Sequence, residues 1–300
     1  MKKNIVTIVL LIAIIISCNQ KATNNDETII KGKTTILVDE TLMPIVEDQL
    51  QVFESDYDAK ITLQPKSETE VLQSLMKDSV QIAVMSKKLS IADSLYFTRK
   101  KLFPRQTPFA TDAIALIANK KTNDTAIALQ DIVDFLKGKP NPAIKGLVFD
   151  NPNSSTVRYF NDLANIKSMP DKGVFSFKTN EEVVKYVSEN IGMIGVVGVN
   201  WLNQPTPNIE KFKENINILN VKSLTGNDYF YPSQNNLAEN KYPLARDLYI
   251  INCQPISGLG IGFASFVAGE RGQRIILKSG LLPIRVPSRN IRTRKEIIKK

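Results

Sequence analysis

The sequence predicts an α/β fold with parallel strands, and three observations carry that prediction. Short apolar runs alternate with amphipathic stretches of helical spacing from about residue 35 onward. Polar turns rich in hydroxyls follow several of the apolar runs. The chain has 300 residues with 43% hydrophobic and 23% charged side chains, which is enough for a substantial core and ordinary for a folded protein.

In order, Thr35-Ile36-Leu37-Val38 reads as a buried strand, and Pro44 to Glu54 as a helix with Val46, Leu50 and Phe53 on one face. Ile61-Thr62-Leu63 is a second strand. Glu68 to Lys77 is a helix with Val71, Leu72, Leu75 and Met76 inward. Ile82 to Met85 is a third strand, and Ile91 to Lys100 is helical. Further on, Ala113 to Ala118 reads as a strand. Leu129, Ile132, Val133 and Leu136 line a helix face, Gly146 to Phe149 is a strand, and Ser154 to Leu163 is a helix. Val183, Val184 and Val187 mark another helix, and Ile191 to Val197 a glycine-punctuated strand. Leu248 to Asn252 is a late strand, and Phe263, Phe266 and Val267 line a late helix. No repeat of solenoid period is present.

Composition excludes several chemistries. Histidine is absent, so no Ser-His-Asp triad, Cys-His pair or His-ligated zinc site can be built. Two cysteines, Cys18 and Cys253, leave no disulfide framework and no all-cysteine zinc site. The net charge is +9. Its concentration toward the carboxyl terminus, in an exported chain, argues against nucleic acid as a partner. The basic stretch from Arg285 to Lys300 reads as a solvated tail or terminal helix, with contact to a membrane surface as the alternative.

The first residues read as a targeting segment. Lys2 and Lys3 give a positive start, and Ile5 to Ile16 is almost wholly apolar but too short for a comfortable membrane span. The segment ends in Ile15-Ile16-Ser17-Cys18, which resembles a bacterial lipobox. The reading is a lipoprotein signal peptide over 1–17, with the Cys18 thiol carrying lipid. An ordinary secretory signal with a chance cysteine is the alternative. Residues 18–33 have little apolar content and read as a tether to a membrane-anchored domain. Cys253 reads as a small buried hydrophobe.

The most informative stretch is Phe149-Asp150-Asn151-Pro152-Asn153-Ser154-Ser155-Thr156-Val157-Arg158. A strand ends, a polar turn follows, and a helix begins near Ser154. The free N–H groups and the dipole of a helix start favour an anion. Arg158, about one turn in, could add a positive charge. The plainer alternative is that Ser154 or Ser155 caps the helix. Three similar turns follow the first three strands. They offer Thr41 in Asp39-Glu40-Thr41, Ser67 in Pro65-Lys66-Ser67, and Ser86 in Met85-Ser86-Lys87. All four turns lie at the carboxyl ends of strands, where open α/β sheets bind ligands.

Val148 to Phe160 resembles the anion loop of PstS-like phosphate-binding proteins, the extracytoplasmic receptors of phosphate ABC transporters. Tyr242-Pro243-Leu244-Ala245-Arg246, Gly192-Met193-Ile194-Gly195 and the segment from Phe263 to Pro283 are also similar to that family. The resemblance spans about residues 34 to 287. It implies a two-lobed type II periplasmic-binding-protein fold with two crossover strands. Lobe one would be 34–113 plus 248–300, and lobe two 114–247.

It also implies ligand donors at Thr41, Ser67, Ser86, Ser154, Ser155 and Thr156. Where the family often has Ser-Gly-Thr, this chain has Ser154-Ser155-Thr156. Arg158 could stand in for an arginine that some members place just before the loop. Asp112, Asp39 and Glu40 are candidates to accept a proton from phosphate, which sulfate lacks at neutral pH. A structural bond at the hinge is an equal alternative for Asp112. The expected protein is a monomeric, lipid-anchored receptor facing the periplasm. It would deliver inorganic phosphate to an ABC transporter permease, with no metal or organic cofactor and no catalysis. Molybdate, sulfate or a phosphonate is the alternative ligand, and a phosphatase-like hydrolase the alternative class.

Overall fold

A computed structural model describes residues 27–77 and 80–286. The expected signal peptide, Cys18, most of the tether and the basic tail from 287 on lie outside the described residues. The chain starts with β1 (Lys31–Asp39), α1 (Met43–Asp56), β2 (Asp58–Lys66), α2 (Glu68–Met76), β3 (Ile82–Met85) and α3 (Ile91–Arg99). Strands β2, β1 and β3 lie side by side and parallel. The central pair is apolar without alternation because helices cover both faces of it. Ile36 and Val38 enter one core with Phe53 of α1, whereas Leu37 faces a second core with Val71 and Leu75 of α2. Strand β2 is the edge, and its mixed, charged exposure suits that place.

Next comes β4 (Arg105–Asn119), longer than the sequence suggests. Only Ala113 to Ala118 is continuously apolar; the earlier part mixes Arg105, Gln106, Thr107 and Pro108 and gives no strand signal. Then follow β5 (Ala126–Ala128), α4 (Leu129–Leu136), β6 (Gly146–Phe149), α5 (Ser155–Ala164), β7 (Val174–Ser176), α6 (Asn180–Glu189), β8 (Met193–Gly198) and α7 (Val199–Asn203). After these lie α8 (Pro207–Lys213), β9 (Ile216–Ile218), β10 (Asn220–Lys222), β11 (Tyr229–Phe230) and α9 (Gln234–Ala238). The described chain closes with β12 (Ala245–Asn252), α10 (Leu259–Ala268), α11 (Glu270–Lys278) and β13 (Leu282–Pro283).

The sheet order is β2-β1-β3-β12-β4-β8-β6-β7, so β4 joins two halves. Its residues up to Ala113 pair antiparallel with β12, and from Ile114 on they pair with β8. The chain returns beside this junction. The Ile114 amide donates to the Leu244 carbonyl at 2.9 Å, and the Tyr242 hydroxyl donates to the Ile114 carbonyl at 2.7 Å. Two crossings at one place leave the halves joined at a waist. A three-stranded sheet, β11-β10-β5, lies apart from this path.

Leu116 is fully buried in the second half of β4, paired with Val196 on one side and accepting from the Leu219 amide on the other. Leu116→Ala is expected to lower unfolding free energy by about 3 kcal/mol. Urea denaturation checks it, and a loss below about 1 kcal/mol would contradict this core placement.

Candidate functional site

The sheet places the carboxyl ends of β1, β2, β3 and β6 toward a common cleft. Four helical turns begin there. Asp39 caps the 3-10 turn Glu40–Leu42, Ser67 caps α2, Ser154 caps α5 and Thr179 caps α6. All four capping residues line one cavity of about 400 Å³, with Glu40, Lys66, Glu70, Asp150 and Lys178. Each cap side chain accepts a bond from the first turn, and the first-turn amides concentrate positive potential there. Capping and anion reception therefore coexist.

Seven of the eight residues read from the sequence fall into three clusters, and Ser67 stands apart from them. In the first, Thr41 and Ser155, from opposite halves, bring their hydroxyls to 3.1 Å. The guanidinium of Arg246 donates to Ser155 Oγ at 2.8 Å and to Thr41 Oγ1 at 3.2 Å. Its other edge donates to Asp112 Oδ2 through Nε at 3.1 Å and Nη2 at 2.9 Å. The Ala113 amide donates to Asp112 Oδ1 at 2.7 Å. Asp112 thus makes the structural bond at the waist and orients Arg246. Arg246 is the main residue that sequence reading missed as a cation of the site. Its only sequence signal is its place in the Tyr-Pro-Leu-Ala-Arg segment.

In the second cluster, Ser154 and Thr156 share a hydroxyl contact at 2.8 Å, and Thr156 donates to Asp150 Oδ1 at 2.7 Å. The Asn180 amide donates to Glu40 Oε2 at 2.8 Å and to Asp150 Oδ2 at 3.4 Å. In the third, Glu68 receives Arg158 Nε at 2.5 Å and Ser86 Oγ at 3.0 Å. Arg158 and Ser86 therefore face a carboxylate of the chain itself. Ser67 makes a capping box with Glu70: its hydroxyl donates to Glu70 Oε2 at 2.6 Å, and the Glu70 amide donates back to it at 3.4 Å.

The site is rich in carboxylates, and burial moves them. Burial, helped by the nearby Glu68 charge, raises Asp39 to about 7. Burial and the Asp150 charge raise Glu40 to about 8. Burial also lifts Asp150 and Asp112, against the hydroxyls beside the first and the Arg246 charge beside the second. One oxygen of Asp39, Oδ2, is buried without a hydrogen-bond partner, although Asp39 lines the cavity. An acceptor in that state calls for a donor from whatever enters. Among the described residues, no group of His, Cys, Asp and Glu could hold a metal ion.

Two expectations follow. Arg246→Met leaves Asp112 buried without its cation and is expected to cost about 3–5 kcal/mol of stability in urea denaturation; a cost under about 1 kcal/mol would contradict the pairing. The second concerns pH. Asp39 and Glu40 hold protons in the folded chain that the unfolded chain releases near pH 4. Their contribution is therefore full below that range and is lost as pH rises to about 8. Calorimetry should show a lower Tm at pH 8 than at pH 5.5, and Glu40→Gln should narrow the difference. A higher Tm at pH 8 would reverse the sign.

A family model described as a PBP superfamily domain matches residues 21–271. No curated protein matches the sequence significantly. Several solved structures share the fold. A candidate phosphate ABC transporter substrate-binding protein from Clostridium perfringens, solved with bound phosphate, superposes with a TM-score of 0.69. It is 18% identical and covers 85% of this chain and 100% of its own. An ABC-type phosphate transport receptor from Vibrio cholerae gives 0.63 at 15% identity, covering 84% of this chain and 100% of its own. PstS from Borrelia burgdorferi gives 0.51 at 21% identity, covering 85% and 100%. At such identities the likeness establishes architecture, here the two-lobed type II periplasmic-binding-protein fold with its two crossing strands. The chain belongs to the PBP superfamily domain family.

Proposed function

We propose that this protein is an extracytoplasmic receptor that captures inorganic phosphate between its lobes and delivers it to an ABC transporter permease. One observation carries the reading. The helix starts capped by Asp39, Ser67, Ser154 and Thr179 meet at one cavity, and a buried carboxylate oxygen of Asp39 there lacks a donor. First-turn amides, the hydroxyls of Thr41, Ser154, Ser155 and Thr156, and the Arg246 guanidinium suit an oxyanion. The unpartnered acceptor suits an oxyanion that carries a proton. Phosphate has one at neutral pH and sulfate does not. The same groups need no bond made or broken, so the role is binding rather than catalysis.

The solved neighbours from Clostridium perfringens, Vibrio cholerae and Borrelia burgdorferi support phosphate through what they are described as binding or transporting. The lobes are assigned as 34–113 with 248–300, and 114–247. The change of β4 partners at Ala113–Ile114 supports the first boundary. Anchoring through lipid on Cys18, after removal of 1–17, places the receptor at a bacterial membrane facing the periplasm, as a monomer. Molybdate, sulfate or a phosphonate is the competing ligand, and the departure from Ser-Gly-Thr at Ser154-Ser155-Thr156 keeps it in contention.

The chain has its own reporter. Trp201, the one tryptophan of the sequence, lies in α7 and donates its indole N–H to the Thr41 carbonyl at 3.0 Å. Titration with phosphate is expected to change Trp201 emission and to release heat in a calorimeter, while equal sulfate does neither. Ser154→Ala or Thr156→Ala should weaken phosphate by ~1–3 kcal/mol through loss of a charge-assisted bond. Heat from molybdate or sulfate with none from phosphate would overturn the assignment. Unchanged affinity in both variants would remove the loop from the site.

A further inference from the structure

We propose that Glu68 is an internal anion: a carboxylate that fills an oxyanion position made by Ser86 and Lys87 of its own lobe and Arg158 of the other, and competes with solute for the closed cleft. The inference rests on the phosphate reading for its ligand, but its geometry stands apart from it.

Glu68 is the first residue of α2, and only 2% of it is exposed. The capping box of that helix is made by Ser67 and Glu70, so Glu68 is not needed as a cap. Its carboxylate instead crosses the cleft. Oε1 accepts from Arg158 Nε at 2.5 Å and lies 3.5 Å from Lys87 Nζ. Oε2 accepts from Ser86 Oγ at 3.0 Å and from Arg158 Nη2 at 3.3 Å. Arg158 belongs to α5, in the half that carries the Ser154-Ser155-Thr156 loop. Burial alone would lower the Arg158 pKa, but the hydrogen bonds and charges of Glu68 and Asp162 together raise it. A hydroxyl, an ammonium and a forked guanidinium around two oxygens form the donor set an oxyanion would want. Here it is filled by a residue of the chain.

The competitor role has two consequences. The positive charge of Arg158 is shared between Glu68 and Asp162, so solute is left with Arg246, itself half-committed to Asp112, and with Lys66 and Lys178 at the cavity. A pocket balanced in this way penalises an anion that cannot share a proton with it. The interlobe bonds of Glu68 also close the cleft with no solute needed. Apparent affinity then falls by the fraction of protein held in that self-liganded form.

The test uses the full chain, wild type and E68Q, titrated calorimetrically with inorganic phosphate. E68Q keeps an acceptor but removes the charge. It is expected to bind phosphate at least ten-fold more tightly. R158A should cost at least ten-fold more affinity in the E68Q background than in the unchanged one, because only there does Arg158 face solute. Equal or weaker phosphate binding by E68Q overturns the proposal and makes Glu68 an ordinary clasp. Circular dichroism melts confirm that each variant is folded, and a conservative E68D variant that tightens phosphate less than E68Q supports the proposal. If neither wild type nor E68Q binds phosphate, the phosphate reading is what fails. X-ray scattering without solute then decides the internal anion. A larger radius of gyration for E68A than for wild type supports it, and identical scattering overturns it.

Discussion

The buried guanidinium of Arg246 ties the molecule together. It sits on β12, one of the two crossing strands, and its bonds reach three other segments. Asp112 lies on the other crossing strand, Thr41 on the turn after β1, and Ser155 at the start of α5. Taking such a cation out of water is costly unless its donors are used, and here both edges are used. The waist, the first lobe and the second lobe thus share one charged group. A substitution there would disturb stability and binding together. The hydroxyls of Thr41 and Ser155 meet across the cleft because the same cation holds both.

The acids around this cation decide what kind of ligand fits. Asp39, Glu40 and Asp150 lie close together among helix starts whose amides favour negative charge. Burial holds their protons more tightly than water would. A site of this kind is not simply electropositive. Under the proposed function, the unpartnered oxygen of Asp39 is what separates a protonated oxyanion from a bare one. Glu68 extends the same logic, as a carboxylate already seated on Arg158.

Much of the fold was legible because buried parallel strands are apolar without alternation and helix starts carry hydroxyl caps. Ile36 to Val38, Ile82 to Met85 and Gly146 to Phe149 announced their strands, and Ser67 and Ser154 their helices. The first half of β4 was illegible because Arg105 to Pro108 pairs through its backbone while its side chains are polar. Thr41 and Ser155 were found as hydroxyls at strand ends, a local signal. Arg246 and Glu68 were not, because their roles depend on residues 134 and 90 positions away, Asp112 and Arg158. Nothing near Glu68 distinguishes it from a solvated charge, and Arg246 has only its place in the Tyr242 to Arg246 segment. Arg158 was picked out as a cation beside the loop, but its buried partner, Glu68, lies on the other lobe.

The most direct test of the central claim is a crystal structure of the protein with arsenate, a heavier tetrahedral analogue of phosphate, located by its anomalous scattering. The account predicts one peak in the interlobe cleft, within hydrogen-bond reach of Arg246 and of the turn from Ser154 to Thr156. A peak only at surface lysines, or in a pocket that touches none of these residues, would contradict it.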